Sequence, residues 1–307
     1  MNRMLRFSLF FTALLLGVHA LAAVPVPPAP PVDAASYVLM DFQTGRVLAA
    51  KDATERRAPA STTKLMTAYV VFQDLVSGQI DLDTRFGVSK KAWQQIGSRM
   101  FLKLGSRVSV NNLLQGMLIP SGNDAAMTLA EGVAGTEAGF VNMMNADAQA
   151  LGLADTRYYD PAGLDSRNRT SALDLAKLSR AIIRRFPQYY HYFSEKKFTW
   201  SKISQYNWNK LLWLNPSVDG LKTGFTVAAG YCLAASAKRG NQRMIAVVMG
   251  VPGNPKHVMA NYRHLAQVSE SLLDYGFRFY ETHQLYAGGK VLGKVRVWKG
   301  VDKYVSV

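Results

Sequence analysis

The chain has 307 residues, of which 49% are hydrophobic, and it carries a formal net charge of +15. This length and composition allow a full hydrophobic core in one large domain or two smaller ones, and the single cysteine, Cys232, excludes an internal disulfide. A net positive charge suits a nucleic acid, an anionic membrane face or a cell-wall polymer equally, so the charge selects none of these partners.

The N-terminus has the pattern of an export signal. Arg3 and Arg6 precede an apolar stretch over Phe7–Val18, and Ala20-Leu21-Ala22 forms a small-x-small cleavage pattern. The apolar stretch is too short to span a bilayer, and no later segment offers about 18 uncharged apolar residues. We therefore expect a signal peptide over residues 1–22 and a mature protein in the periplasm or at the outer face of the cytoplasmic membrane, where a nucleic-acid partner is excluded.

A spacer and a hairpin are predicted next. Val24–Val32 is rich in proline, which predicts an extended spacer over residues 23–35. Residues 36–53 alternate apolar and polar side chains around Gln43-Thr44-Gly45, the pattern of two strands joined by a turn. The folded part of the chain is therefore expected to open with a β-hairpin.

The middle of the chain is predicted to be helical. Ser61–Val76 leaves no clear polar face, so we predict a helix that is buried over most of its surface. Pro59 prevents that helix from extending backwards. Further helices are predicted over residues 110–118, 124–133, 137–150 and 171–185.

Strands are predicted again after residue 215. Residues 230–238 and 243–251 have the pattern of two strands joined by a turn, and a helix is predicted over residues 258–275. Strands at both ends with helices between them indicate one antiparallel sheet formed from both termini, with a helical lobe in the middle. The predicted fold class is therefore α+β.

Ser61 and Lys64 carry the first candidate chemistry. Their spacing on a helix puts both side chains on one face, within contact distance, and the positive end of the helix dipole favours negative charge on the serine oxygen. Lysine acts as a base only when it is neutral, and lowering its pKa from about 10.4 to about 7 takes roughly 4 to 5 kcal/mol of environmental bias. Burial and a second cation nearby would supply that bias.

Two further motifs provide polar groups. The segment "IPSGNDAA" places Ser121 and Asn123 in a loop that enters a helix, where Ser121 can relay a proton and Asn123 can hold an amide. The segment "DGLKTGFT" provides the second cation, Lys222, followed by Thr223 on a predicted edge strand. Gly224 comes next, and a glycine there permits close approach of a ligand backbone.

The order of the three motifs is more specific than any one of them. Ser-x-x-Lys recurs at Ser194 and Lys197, whereas Lys-Thr-Gly occurs once. The set STTK, SGN and KTG, separated by about 60 and 100 residues, resembles that of the penicillin-binding serine D,D-peptidases and serine β-lactamases. The surrounding segments, among them "YVLMDFQTGRVL" and "LLDYGFRFYE", look like the low-molecular-weight D-alanyl-D-alanine carboxypeptidases over residues 36–285.

The resemblance implies a fold like that of penicillin-binding proteins and serine β-lactamases, and a role for each motif residue. The catalytic residues that it implies are Ser61 as the acylated nucleophile, Lys64 as its base, and Ser121. The substrate-binding residues that it implies are Asn123, Lys222, Thr223, Gly224 and Phe225, with Lys222 and Thr223 receiving the terminal carboxylate. The backbone N–H groups of Ser61 and Phe225 would form the oxyanion hole. No HExxH or paired metal-ligand spacing occurs, so we expect no metal and no cofactor.

The chain departs from the family pattern at two positions near the third motif. Phe225 stands where the family often has a histidine, so we expect a different substrate preference. Trp208 stands where relatives often have a basic residue, and either Arg263 or Lys256 would then provide the second cation for the carboxylate.

The C-terminal end is shorter than the family pattern. Residues 286–307 alternate like a strand but are too few for a core of their own, and the family's β-rich domain and amphipathic membrane helix do not follow. We therefore expect residues 36–285 to form the D,D-peptidase domain and residues 286–307 to be the start of a truncated C-terminal β region. An anchor beyond this chain would add peripheral membrane association.

The expected function follows from the resemblance. It is that of a serine D,D-carboxypeptidase that removes the terminal D-alanine from peptidoglycan stem pentapeptides through an acyl-enzyme, with β-lactam antibiotics as covalent inhibitors. A β-lactamase of the same fold is an alternative, although Arg157 stands where one large group of these enzymes has a water-activating glutamate. The sequence also leaves open a D,D-endopeptidase and a non-catalytic cell-wall-binding protein.

Overall fold

The computed structural model describes residues 26–286 and 289–307. The predicted signal peptide and the first residues of the predicted spacer lie outside the described residues. The rest of the spacer forms no helix or strand, but Tyr275 donates a hydrogen bond to the carbonyl oxygen of Pro27 at 2.8 Å, so this part is packed against the domain. Within the described ranges, no helix combines the length and apolar character needed to cross a membrane.

Strands lie on both sides of a helical region in the chain. The strands are β1 (Ser36–Asp41), β2 (Val47–Lys51), β3 (Arg85–Gly87), β4 (Arg107–Ser109), β5 (Lys197–Trp200), β6 (Ile203–Tyr206), β7 (Val218–Thr226), β8 (Gly230–Arg239), β9 (Gln242–Val251), β10 (Lys294–Arg296) and β11 (Tyr304–Ser306). The α-helices are α1 (Lys64–Ser77), α2 (Lys90–Trp93), α3 (Val110–Leu118), α4 (Asn123–Ala134), α5 (Glu137–Ala150), α6 (Ala172–Arg185), α7 (Leu211–Leu214) and α8 (Val258–Phe279). Short 3-10 helices lie at Ala60–Thr63, Tyr190–Phe193 and Pro255–His257.

One five-stranded antiparallel sheet joins the two ends of the domain. Its strand order is β2-β1-β9-β8-β7, so the first strand of the domain pairs with β9, which comes about 200 residues later. The predicted α+β fold, with a sheet formed from both termini, is confirmed. Strand β7, which carries the third motif, lies at one edge of the sheet, as predicted.

Helices cover both faces of the sheet. In β9, Ile245 and Val247 pack into a core formed with α1 and α3 to α6, whereas Ala246 and Val248 pack against α8 on the opposite face. Successive residues of a strand point to opposite faces, so a strand covered on both sides is apolar at nearly every position. This explains why β9 has a continuous apolar run in the sequence.

Side-chain caps fix several helix starts. The hydroxyls of Ser109, Thr136 and Ser171 accept hydrogen bonds from backbone N–H groups at the starts of α3, α5 and α6. The predicted bounds of α3 to α6 agree with the structure within one residue. Helix α8 continues to Phe279, beyond the predicted end, because Gly276 is still packed against the sheet.

Short elements were harder to predict. The hairpins β3–β4 and β5–β6 have only three or four residues in each strand, too few to give a clear alternating pattern. Beyond α8, β10 and β11 form a two-stranded antiparallel hairpin whose strand residues are exposed. Residues 286–307 therefore include two strands where the sequence pattern suggested one; the domain bounds themselves remain predictions.

Candidate active site

The first motif forms a tight turn before α1. Ala60 has a φ of +48°, and Ala60–Thr63 forms a 3-10 helix, in which side chains three residues apart lie one above the other. Thr62 donates to the carbonyl oxygen of Pro59 twice, from its hydroxyl at 2.6 Å and from its backbone N–H at 3.2 Å. The predicted α-helix therefore begins at Lys64, and Ser61 is held on the turn that precedes it.

The edge strand β7 touches this turn at Gly224. A Cβ atom at that position would lie 2.9 Å from the backbone nitrogens of Ser61 and Thr62, which is closer than Cβ atoms approach in proteins. From the sequence we expected this glycine to make room for a ligand backbone. The nearest atoms instead belong to the turn at Ala60–Thr63, which carries Ser61 and which we call the serine turn. The glycine therefore determines how closely β7 and the serine turn can pack.

Lys64 is completely buried at the start of α1. Its Nζ lies 2.9 Å from Ser61 Oγ, 2.7 Å from Asn123 Oδ1 and 2.9 Å from the carbonyl oxygen of Ala162. The contact between Ser61 and Lys64 that their spacing predicts is therefore present. Burial lowers the pKa of Lys64 to about 7, and the nearby carboxylates of Asp160 and Asp124 oppose that shift.

These three contacts accommodate the neutral amine as well as the ammonium ion. A neutral amine has two N–H donors and one lone pair, and the oxygens of Asn123 and Ala162 can only accept. The amide of Asn123 is oriented by a second bond, because its Nδ2 donates to the carbonyl oxygen of Ile96 at 2.6 Å. With both N–H groups used in this way, the lone pair is left for the hydroxyl proton of Ser61.

A loop that sequence reasoning missed holds one of these acceptors. The carboxylate of Asp160 accepts hydrogen bonds from the backbone N–H groups of Ala162, Gly163 and Leu164, and Thr67 donates to the carbonyl oxygen of Pro161 at 2.6 Å. Together these bonds fix the Ala162 carbonyl against Lys64. The sequence Asp-Pro-Ala-Gly is typical of a turn, so it could have indicated the loop. It gives no sign that the loop lies against Lys64.

The second motif lies in the loop before α4. Ser121 has a φ of +68°, and its hydroxyl is buried without a hydrogen-bond partner among the described residues. The carboxylate of Asp124 accepts from the backbone N–H groups of Met100 and Leu102 at 2.9 and 3.1 Å, which holds the loop in place. Asn123 contacts Lys64 directly; Ser121 lines the same cleft, and its role as a proton relay remains a prediction.

Lys222 is buried in β7, behind Thr223. Its Nζ donates to the carbonyl oxygen of Thr223 at 3.0 Å. Burial, and next the positive charge of Lys64, hold the pKa of Lys222 well below its usual range. The sequence predicts that a second cation helps to lower the pKa of Lys64, but burial is the main cause of that shift. The positive charge of Lys64 instead contributes to the lowered pKa of Lys222.

The motif residues line one cleft of about 270 Å³. They are Ser61, Ser121, Asn123, Thr223, Gly224 and Phe225. Lys64 and Lys222 lie beneath its surface. The structure thus brings together the residues of the three motifs.

Aromatic rings form one wall of the cleft. Phe225 stacks on Tyr231 at 4.2 Å between ring centroids, Tyr231 meets Tyr262 at 5.2 Å, and Tyr262 meets Trp208 at 5.0 Å. The indole N–H of Trp208 donates to the carbonyl oxygen of Pro120 at 3.3 Å, which fixes this ring beside the second motif. The two aromatic residues that depart from the family pattern therefore belong to one continuous surface.

The predicted second cation is not in the cleft. Neither Arg263 nor Lys256 is among the residues that line it, and no other arginine or lysine of the described chain lines it. Arg263 instead borders a neighbouring cavity. The expectation was wrong because helix α8 presents Val258 and Tyr262 to the cleft.

Residues 26–286 and 289–307 contain no evident metal site. No group of three or more His, Cys, Asp or Glu side chains in these ranges could hold a metal ion. The polar side chains that line the cleft carry hydroxyls and the amide of Asn123, and the amine of Lys64 lies beneath them.

Comparison with known proteins shows to which family this chain belongs. Residues 23–253 match the family described as D-alanyl-D-alanine carboxypeptidase, peptidase family S11. The D-alanyl-D-alanine carboxypeptidase DacD of Salmonella typhimurium is 43% identical over 318 residues, which cover 99% of this chain and 80% of that protein. The chain belongs to the D-alanyl-D-alanine carboxypeptidase family. The serine-peptidase class expected from the sequence is thereby confirmed.

Solved structures of penicillin-binding proteins support the same fold. Penicillin-binding protein 5 from Haemophilus influenzae superposes with a TM-score of 0.85 at 41% identity, covering 92% of this chain and 81% of that one. Penicillin-binding protein D2 from Listeria monocytogenes, in a form with ampicillin bound, superposes with a TM-score of 0.73 at 28% identity, covering 82% of this chain and all of that one. The predicted penicillin-binding protein fold is therefore confirmed.

Proposed function

We propose that this enzyme removes the terminal D-alanine from peptidoglycan stem peptides through an acyl-enzyme at Ser61. The observation that carries the proposal is the 2.9 Å contact between Lys64 Nζ and Ser61 Oγ, made by a buried amine whose pKa is lowered to about 7. Membership of the D-alanyl-D-alanine carboxypeptidase family indicates the reaction, and the buried amine of Lys64 is the base that the reaction needs.

Acylation begins with proton transfer. Ser61 Oγ attacks the carbonyl carbon of the last peptide bond while its proton passes to the lone pair of Lys64 Nζ. The carbonyl electron pair moves to the oxygen, where the backbone N–H groups of Ser61 and Phe225 stabilise the negative charge. When the C–N bond breaks, the leaving nitrogen takes up the proton from Lys64 through the hydroxyl of Ser121, and D-alanine is released.

Deacylation repeats the same steps with water. A water molecule attacks the ester carbonyl and gives its proton to Lys64, which is again neutral after the first step. The C–O bond to Ser61 then breaks, and the serine oxygen recovers a proton. The products are a peptide shortened by one residue and the free enzyme.

Thr223 and Lys222 are the proposed partners of the substrate's terminal carboxylate. Thr223 lines the cleft, and Lys222 lies behind it in the same strand. A bound carboxylate would favour the ammonium form of Lys222 and so oppose the effect of burial on its pKa. The substrate itself would then promote protonation of the lysine that binds it.

Labelled penicillin tests the nucleophile. We infer that β-lactams acylate Ser61, in line with the ampicillin-bound Listeria relative. Intact-mass analysis is expected to show one adduct, and peptide mapping to place it on Ser61. Ser61→Ala should form no adduct, whereas Ser194→Ala, at the other Ser-x-x-Lys sequence, should label like the wild type. Equal labelling of Ser61→Ala would refute the assignment.

The β-lactamase alternative requires fast deacylation. Arg157, at the position where one group of β-lactamases has a glutamate, pairs its backbone with Arg169 at 2.8 and 3.0 Å, and it does not line the cleft. No glutamate of the described chain lines the cleft either. We therefore expect slow release of the penicilloyl group, and rapid nitrocefin turnover would favour a β-lactamase.

An endopeptidase and a wall-binding protein would each differ from a carboxypeptidase in a measurable way. A D,D-endopeptidase would cleave cross-linked muropeptides, whereas a carboxypeptidase releases D-alanine from monomeric pentapeptides. A non-catalytic wall-binding protein would restore cell shape in a deletion strain even as the Ser61→Ala variant. Muropeptide products and complementation therefore separate the three functions.

Export to the periplasm is proposed from the N-terminal pattern. The basic residues, apolar stretch and small-x-small site of residues 1–22 support it. Cell fractionation together with N-terminal sequencing of the mature protein would check both the compartment and the cleavage site. Recovery of the uncleaved chain from the cytoplasm would contradict this proposal.

A further inference from the structure

A second cavity adjoins the catalytic cleft. It has a volume of about 670 Å³, and Gly97, Ser98 and Trp208 line both spaces. We call this cavity the side chamber. Because the two spaces share these three residues, a group that leaves the cleft past Trp208 enters the side chamber.

The side chamber lies at the end of the cleft where the leaving group belongs. Asn209, the residue after Trp208, donates from Nδ2 to the carbonyl oxygen of Gly220 at 3.1 Å, so this segment is attached to the start of β7. Along β7, Thr223, the proposed partner of the terminal carboxylate, comes next, and Phe225 of the proposed oxyanion hole follows it. A substrate bound in this way directs its leaving residue towards Trp208 and its acyl side towards the other end of β7.

The side chamber carries positive charge without a matching anion. Arg99, Lys210 and Arg263 line it, and no aspartate or glutamate of the described chain does. None of the three forms a salt bridge with any described residue. Burial, and next the positive charge of Arg263, lower the pKa of Lys210. A carboxylate bound beside these two cations would relieve their mutual repulsion.

The remaining walls of the side chamber are largely apolar. Phe101, Trp213, Leu214 and Met259 are among the residues that line it. Lys210 Nζ lies 4.9 Å from the ring centroid of Trp213, so positive charge and apolar surface meet in one place. Such a cavity is complementary to an aliphatic chain that ends in an anion.

The side chain of the leaving residue is the part that can enter the side chamber. In the proposed mechanism the α-carboxylate of that residue is held at Thr223, and its nitrogen belongs to the peptide bond that Ser61 attacks. Only the side chain then remains free to extend. In alanine it is a single methyl group, which is much smaller than a space of about 670 Å³. A longer side chain would use the space past Trp208.

We propose that the side chamber receives the side chain of the leaving residue, and that Lys210 and Arg263 bind a carboxylate at its end. The proposal rests on the carboxypeptidase function proposed above and extends its substrates to peptides whose last residue has a long aliphatic side chain with an anionic end. The chemistry is unchanged: the same C–N bond breaks, the leaving nitrogen takes up the proton from Lys64, and water hydrolyses the ester. Cross-linked stem peptides present such a leaving residue, because its side chain leads to the second peptide.

The test compares three synthetic peptides that differ only in the residue after the last-but-one D-alanine. This residue is D-alanine, D-2-aminopimelate, whose aliphatic side chain ends in a carboxylate, or the side-chain amide of D-2-aminopimelate. For release of the last residue by the full chain, we expect kcat/KM to be about 3- to 10-fold higher for the carboxylate than for its amide, mainly through KM. Added salt should weaken this preference, because the cations border an open cavity.

Variants of the two cations test where the preference originates. In the double variant Lys210→Gln, Arg263→Gln the preference for the carboxylate over its amide should disappear. Arg184→Gln, on the exposed surface of α6, should keep it. Labelling by penicillin shows whether the double variant is folded. If it is not, the single variants Lys210→Met and Arg263→Met are measured in the same way, and each should weaken the preference.

Three results overturn the proposal. They are equal kcat/KM for the carboxylate and its amide in the wild type, a preference that survives in a folded variant without both cations, and release of D-alanine with no release of either longer residue. Failure to release D-alanine, together with the absence of a penicillin adduct on Ser61, would instead contradict the proposed function.

Discussion

The two pairs of cations beside the cleft have opposite environments. Lys64 and Lys222 are at most 2% exposed, whereas Lys210 and Arg263 border the neighbouring cavity of about 670 Å³. Burial disfavours the charged form of a lysine, so Lys64 is suited to accepting a proton, and Lys222 gains its charge only when an anion such as the substrate carboxylate lies beside it. The cations that border the open cavity need no such partner, because water reaches them.

The largest effect is expected where the buried base cannot lose its proton. Lys64→Arg keeps a positive charge, but a guanidinium does not deprotonate at ordinary pH. We expect penicillin acylation and D-alanine release to fall by about 1,000-fold or more, measured by single-turnover labelling. Lys103→Arg, on the exposed surface, should behave as wild type. Substantial activity in Lys64→Arg would mean that another group takes the proton.

A smaller but still large effect is expected from the contact between strand and turn. In Gly224→Ala the new methyl group would lie 2.9 Å from backbone atoms of the serine turn, so either strand or turn must move. We expect a loss of about 1 to 3 kcal/mol in the free energy of unfolding and acylation slowed by about 10- to 100-fold. Urea denaturation and labelling rates measure the two effects. The control is Gly240→Ala, because no atom lies within 4 Å of the new methyl group. The positive φ of 57° at Gly240 gives this variant a modest backbone strain, so it can lower the free energy of unfolding but should leave the acylation rate unchanged.

The pH dependence should follow the buried amine. The neutral form of Lys64 is the base, so the acylation rate should rise with pH through about 7 and fall about tenfold for each unit below it. The pKa of Lys64 is lower in the folded than in the unfolded state, so unfolding takes up a proton at pH values between about 7 and 10.5, and this group's contribution to stability increases with pH across that window. An acylation rate that is flat from pH 5 to pH 9 would contradict the assignment of Lys64 as the base.

The smallest effect is expected from placing a cation in the aromatic wall. Trp208→Arg introduces the type of residue that relatives often have, next to a cleft without a lining cation. We expect KM for short D-Ala-D-Ala peptides to fall by about 2- to 5-fold, with loss of the ring contact to Tyr262. Trp208→Gln, which removes the ring without adding charge, is the matched control. Equal KM in the two variants would exclude a charge effect at this position.

Much of the fold could be predicted from the sequence because its signals are local. The capping residues and apolar periodicity of α3 to α6 gave their bounds, and alternating patterns gave the hairpins of β1–β2 and β8–β9. The 3-10 turn at Ala60–Thr63 could not be predicted, because it depends on a strand that follows about 160 residues later. Helix α8 extended further than expected for the same reason, since its last turn is held by the sheet.

The site was predictable as a set of residues but not as a set of contacts. Residue type and order selected Ser61, Lys64 and Asn123, but the bond from Lys64 to Ala162 arises from a loop with no motif of its own. The second cation was wrongly placed because sequence distance says nothing about which face of α8 meets the cleft. Burial of Lys64, by contrast, was predicted correctly, because the apolar residues of α1 leave no polar side.

The close packing of Gly224 on the serine turn has a mechanical consequence. Ser61 and Lys64 belong to the helical layer, whereas Thr223 and Phe225 belong to the strand at the edge of the sheet. A slide of one layer over the other by about 1 Å would separate the nucleophile from half of the proposed oxyanion hole while leaving both layers intact. Enzyme activity would therefore report on the alignment of the two layers more directly than a measurement of global unfolding does.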